Sequence, residues 1–260
     1  MLHTDTFGTG DTTPLVIAHG LFGSGRNWGV IAKRLSDSRP VITVDMRNHA
    51  GSFHDPDHSY PALARDLAQV IEPMDRPVHL LGHSMGGKAA MVAALNGLPL
   101  ASLTVADIAP VSYSHTQLPL IDAMEALDLT QIIRRSEADA ALSTQITDAT
   151  VRAFLLQSLD VKTRTWRLNL AALRDQMDLI LSFPEVSGTY DGPTLFLSGA
   201  QSDYVTPEAR PTIKALFPQA RFAKIPEAGH WLHAERPRAF EAALRAFLGA
   251  VDAGDAGRSS

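Results

Sequence analysis

Short β-rich apolar runs alternate with helical patterns over the first 110 residues, and this alternation constrains the fold more than any other feature. "PLVIAHG" at 14–20 reads as a buried strand ending in a turn, "RPVITVDMRN" at 39–48 as a second, "RPVHLLG" at 76–82 as a third and "ASLTVADIAP" at 101–110 as a fourth. Between them, "NWGVIAKRLS", "SYPALARDLAQVIE" and "SMGGKAAMVAALNG" carry helical spacing. Asn27 and Ser59 are the expected N-caps of the first two helices, and Pro61 falls in a first turn. Strand and helix in strict turn predict an α/β fold, a mostly parallel sheet with helices on both faces.

After Pro110 the alternation stops, and residues 118–183 show helical spacing with no convincing strand. It resumes at "GPTLFLSGA" and continues through "PEARPTIKALF", "RFAKIPEAGH" and "RPRAFEAALRAFLGAV". The expected organisation is an α/β core of residues 1–112 and 186–251, a helical cap of 113–185 inserted between its two parts, and a frayed tail of 252–260, "DAGDAGRSS".

Composition removes several classes of function. A net charge of -5 with no basic stripe disfavours nucleic-acid binding. The absence of cysteine excludes disulfides, thiolate metal sites and a cysteine nucleophile. The N-terminus lacks the pattern of a secretory signal and no run is long enough to span a membrane, so a cytoplasmic protein is expected.

The third strand runs into Gly82-His83-Ser84-Met85-Gly86, a G-x-S-x-G at a strand-to-helix turn. In such an elbow the serine is held in a strained turn with its hydroxyl above the sheet edge. Its flanking residues must be small because strand and helix approach closely. Ser84 is the candidate nucleophile; the bland alternative is a Gly-rich turn without chemistry. The Met85 N–H, at the helix N-terminus, is one candidate oxyanion donor. "AHGLFGSGRNW" closes the first strand, and the Leu21 N–H is the second candidate, with Phe22 as its neighbour. His19 is read as shaping this loop.

A serine hydroxyl needs a base. Of ten histidines only His230 and His233 follow residue 200, where the Ser–acid–His order of such enzymes places the base. His230, in the loop "IPEAGHWLHAERP", is preferred; His233 is expected to start a helix or contact solvent, and His83 to be structural. Two carboxylates end strands and are candidates for the acid, Asp107 in "LTVADIAP" and Asp203 in "LFLSGAQSDYVTP". Hydrolases of this kind often place the acid three residues after the glycine of the later loop. Here that position holds Ser202, which favours Asp107.

The segments "HGLFGS", "VDMRNH", "GHSMGGKAAM", "DIAPV" and "AGHWLHAERP", in this order, resemble the YbfF-type esterases of the α/β-hydrolase superfamily, relatives of the α/β-hydrolase-domain-11 proteins. The resemblance spans about Pro14 to Leu248 and is weakest in the cap. It implies an acyl-ester hydrolase with a small cap, an acid at Asp107 and a hydrogen-bonding partner at Ser202. Two positions depart from the pattern: Ala50 stands where a glycine is usual, and Asp203, an acid beside Ser202, reopens the choice of carboxylate. The expected substrate is a small-molecule acyl ester, with Phe22 and Trp231 as candidate substrate contacts and no metal or organic cofactor required. A thioesterase, lactonase or C–C bond hydrolase would use the same triad, as would a slow-turnover ligand-binding protein. A dehalogenase or epoxide hydrolase would carry Asp where Ser84 stands.

Overall fold

The structure, a computed structural model, describes residues 1–254. Strands β1 (Thr4–Phe7), β2 (Leu15–Ala18) and β3 (Val41–Val44) come first, with helix α1 (Gly29–Leu35) between the last two. Helix α2 (Tyr60–Ile71) leads to β4 (Val78–His83), α3 (Met85–Leu95) and β5 (Leu100–Ala106). Five helices then intervene: α4 (Leu118–Glu125), α5 (Arg135–Leu142), α6 (Ala149–Leu155), α7 (Leu170–Asp175) and α8 (Met177–Leu181). A two-stranded hairpin, β6 (Leu159–Asp160) with β7 (Thr165–Trp166), sits among them. The chain ends with β8 (Thr194–Gly199), α9 (Arg210–Leu216), β9 (Ala220–Ile225), α10 (Leu232–Glu235) and α11 (Pro237–Asp252).

Among the described residues, seven strands form one sheet in the order β1-β3-β2-β4-β5-β8-β9. All neighbours are parallel except β1, which pairs antiparallel with β3. The strands β2, β3, β4 and β8 are buried along their whole length, as a sheet covered on both faces requires. Side chains alternate between the faces. Val16, Val44, Leu80 and Val105 join the core shared with α2, α3 and the inserted helices, whereas Leu15, Ile17, Leu81 and Leu197 pack on α1 and α11. The chain reverses strand order on either side of β2, and functional loops collect at the carboxyl ends of the strands beside such a switch point.

The structure departs from the sequence expectations, or adds to them, at four points. The segment from 118 to 183 contains the β6–β7 hairpin, whose two-residue strands are too short to show a period. The N-terminal "TDTF" forms an edge strand, legible to no periodicity argument because its burial is mostly exposed. The tail does not begin at Asp252: that residue ends α11, and its carboxylate accepts bonds from Arg39 at 2.9 Å and His79 at 3.1 Å. Residues 255–260 of the expected tail lie outside the described residues. Asn27 does not cap α1 directly; Ser24 precedes a short 3₁₀ turn, Gly25–Trp28, and the Asn27 side chain closes a capping box by accepting the Ser24 N–H at 2.6 Å. No helix among the described residues is long and apolar enough to cross a membrane.

Candidate active site

Ser84 stands between β4 and α3 with φ 51° and ψ -119°, outside the comfortable regions for a residue with a side chain. The surroundings enforce this. A Cβ on Gly82 would collide with the Gly86 carbonyl, and one on Gly86 would collide with the carbonyls of Ala18 and His19. The Ser84 N–H donates to the Ala106 carbonyl at 3.0 Å, which ties the turn to the end of β5. Strand, turn and helix are therefore locked against two neighbouring strands, and the hydroxyl faces the cavity.

His230 reaches this hydroxyl from the loop after β9: its Nε2 lies 3.1 Å from Ser84 Oγ. Its Nδ1 lies 2.8 Å from Asp107 Oδ2. Asp107 follows β5 with φ 52° and is fully buried. Its carboxylate also accepts the Gly199 N–H on Oδ1 at 3.0 Å and the Ser202 hydroxyl on Oδ2 at 2.5 Å. Ser202 thus holds the acid rather than touching the imidazole. Asp203 is exposed, and the carboxylate in contact with the imidazole Nδ1 is that of Asp107. The one-residue shift carries the Asp203 side chain outward.

Two neighbours of His230 were not legible as such in the sequence. The Tyr204 ring stacks on the imidazole, with centroids 4.0 Å apart and planes at 21°. Its carbonyl accepts the Tyr113 hydroxyl at 2.7 Å, and its hydroxyl meets His115 Nε2 at 2.6 Å. His83 has Nε2 2.9 Å from the His230 carbonyl. Burial drives the His83 pKa well below its ordinary value, so the neutral ring donates to that carbonyl and steadies the loop. His233 lies in the first turn of α10, the first of its two expected places, and does not contact solvent; it is buried and lies flat on Trp28, with centroids 4.0 Å apart. The rings of Trp28, His83 and Phe240 surround it.

The first-strand loop approaches from the other side. Gly20 is required there, because a Cβ would press into His83 and Ser84. His19 spans the loop, with Nδ1 2.8 Å from the Gly20 carbonyl and Nε2 accepting the Met46 N–H at 2.9 Å. Phe22 has φ 63°, and its N–H donates to His49 Nε2 at 3.2 Å. His49 Nδ1 in turn lies 2.8 Å from the Arg47 carbonyl, which fixes the tautomer with Nε2 as acceptor. Desolvation lowers His49 to about 3 and His19 to about 4, consistent with neutral rings. The "RNH" motif therefore props the loop from behind: Arg47 is anchored by a buried bidentate pair with Asp66, at 2.6 and 2.9 Å. With the Phe22 N–H committed, no acceptor among the described residues receives the Leu21 or Met85 N–H.

Ser84 opens into a cavity of about 530 Å³, lined by Leu21, Phe22, Ile108, Val151, Phe154, Ile180, Leu181 and Trp231 among others. Trp231 meets Phe154 of α6 across it, with centroids 5.6 Å apart. The walls are mainly apolar, and Ser84 and His230 are both among the lining residues.

The pattern that defines the α/β hydrolase family matches residues 15–243. The chain is 42% identical over 254 residues to the sn-1-specific diacylglycerol lipase ABHD11 of Mus musculus, covering 92% of this chain and 82% of that one. It is 38% identical over 244 residues to esterase YbfF of Escherichia coli, covering 92% and 94%. A solved structure of a marine microorganism esterase superposes with a TM-score of 0.90 at 37% identity, over 95% of this chain and 98% of that one. Sheet order, elbow, family pattern and relatives agree, and the chain belongs to the α/β hydrolase family.

Proposed function

We propose that the chain hydrolyses carboxylic esters through a Ser84–His230–Asp107 triad and an acyl-enzyme. The observation that carries this reading is the continuous chain of contacts from Ser84 Oγ to His230 Nε2 at 3.1 Å and from His230 Nδ1 to Asp107 at 2.8 Å. His230 takes the hydroxyl proton as Ser84 attacks the acyl carbonyl. The carbonyl oxygen gains negative charge and is received by the Leu21 and Met85 N–H groups. Each such donor is worth a factor of roughly 10² to 10³, and the base a factor of roughly 10² to 10⁴. The imidazolium then protonates the leaving alcohol, which departs. Water, deprotonated by His230, attacks the acyl-serine and releases the acid. Asp107 holds the ring orientation and stabilises its charged form throughout, with Ser202 fixing the carboxylate.

The helices between β5 and β8 serve as a cap over the site. Phe22 and Trp231 form substrate-contacting walls. The apolar lining, and the lipase and esterase names of the relatives, support an apolar acyl group. The test is hydrolysis of p-nitrophenyl esters from acetate to palmitate by the wild type and by Ser84→Ala. Activity in the first and its loss in the second are expected; turnover that survives in Ser84→Ala would sink the mechanism.

A further inference from the structure

Three successive carbonyls at the end of α8 are received by the core. Tyr60 Oη donates to the Ile180 carbonyl at 2.6 Å, and Lys88 Nζ donates to those of Leu181 and Ser182 at 2.9 and 2.5 Å. The last carbonyls of any helix lack partners within it, and a cation there complements them. The same ammonium stands over the Tyr113 ring at 4.8 Å and the Tyr60 ring at 5.6 Å. Lys88 is 1% exposed, and no carboxylate among the described residues pairs with it. A cation in that position is costly to bury. Burial lowers its pKa to about 7, the direction that cost dictates. An apolar side chain of similar length would fill the same space without it, so the contacts made by the ammonium are the reason to look for a role.

The position of Lys88 defines that role. It lies one turn after Ser84 in α3, its N–H donating to the Ser84 carbonyl at 3.0 Å. Ile180 and Leu181, beside the carbonyls it holds, line the cavity that opens on Ser84. The nucleophile helix therefore grips directly the cap helix that forms one wall of the cavity. We propose that Lys88 is a specificity-determining positioning residue: by pinning α8 to the nucleophile helix it sets the length of acyl chain the cavity accepts. This rests on the ester-hydrolase reading of the same site.

The experiment compares wild type, Lys88→Met, Lys88→Arg and Tyr60→Phe with p-nitrophenyl butyrate and decanoate. In parallel, hydrogen exchange is followed in peptides covering residues 177–183. In Lys88→Met the ratio of kcat/KM for decanoate over butyrate is expected to rise about tenfold, mainly through KM, as methylene discrimination at a pocket wall allows. Exchange over 177–183 is expected to quicken in the same variant. Lys88→Arg, which keeps cation and donors, is expected to restore both readouts towards wild type. Tyr60→Phe, which loses only the Ile180 contact, is expected to move them in the Met direction by less. A folded Lys88→Met with unchanged ratio and unchanged exchange overturns the proposal. If that variant fails to fold, Lys88→Gln replaces it, and an unchanged ratio with unchanged exchange in that variant overturns the proposal. A wild type inactive on every ester would refute the hydrolase reading instead, and the exchange data would still decide whether α8 is pinned.

Discussion

Asp107 has a left-handed backbone, and that single dihedral turns its carboxylate back beneath His230. Asp and Asn tolerate this region better than other residues with side chains, so Asp107→Asn is a conservative probe. It is expected to fold normally and to lower kcat by roughly 10³ to 10⁴, because the amide cannot stabilise the charged imidazole or hold its tautomer. Asp203→Asn is expected to leave kcat unchanged. The reverse order in an ester assay would transfer the acid to Asp203. The contact between Ser84 and His230 was readable in advance for different reasons at its two ends: the elbow is dictated by sterics, and chain order left few late histidines. The carboxylate that contacts His230 was harder to read, because the spacing rule landed on Ser202. In the folded chain that hydroxyl bonds the Asp107 carboxylate, so the position still serves the acid while no longer supplying it. Tyr204 was invisible as a neighbour of the base, since a stacking contact between loops leaves no periodicity in either.

At the level of elements, the elbow and the loop after β2 are built from backbone approach. The strands β2 to β5 were legible because strands buried on both faces are mainly apolar along their length. The edge strand β1 and the β6–β7 hairpin were not, because brief, exposed pairings need no such pattern. Ala50 exposes one cost in the loop after β3. It sits at φ 46° with its N–H on the Arg167 carbonyl at 2.7 Å, a conformation suited to glycine. Left-handed backbone penalises a residue with a Cβ by about 1 kcal/mol. Ala50→Gly is therefore expected to raise Tm by roughly 2–4 °C, part of it offset by the greater freedom of glycine in the unfolded chain. A lower Tm in calorimetry would show that the Cβ packs to better effect than its backbone costs.

Taken whole, the molecule carries a set of buried histidines held neutral by desolvation. His19 is lowered to about 4, and His49 and His233 to about 3; His58 and His83 are also lowered well below their ordinary value. Each binds a proton more readily when unfolded. Their contribution is fully present above pH 6.5 and is lost as pH falls below it, towards each folded value. One such group changes stability by up to about 1.4 kcal/mol per pH unit in that window. Tm is expected to hold from pH 8 to 7 and to fall steeply below pH 6. His233→Phe, which keeps an aromatic ring against Trp28 and removes a buried Nδ1 without a partner, is expected to soften that fall. A Tm that stays level down to pH 4 would contradict the neutral-ring account. The two margins of the sheet bear on another property. Edge β1 is only four residues long and largely exposed to water, while edge β9 carries Lys224 outward and has the Arg210 guanidinium laid over Phe222 at 4.9 Å. Neither margin is a flat apolar ledge on which a second chain can extend the ladder, so strand-by-strand aggregation is frustrated at both ends.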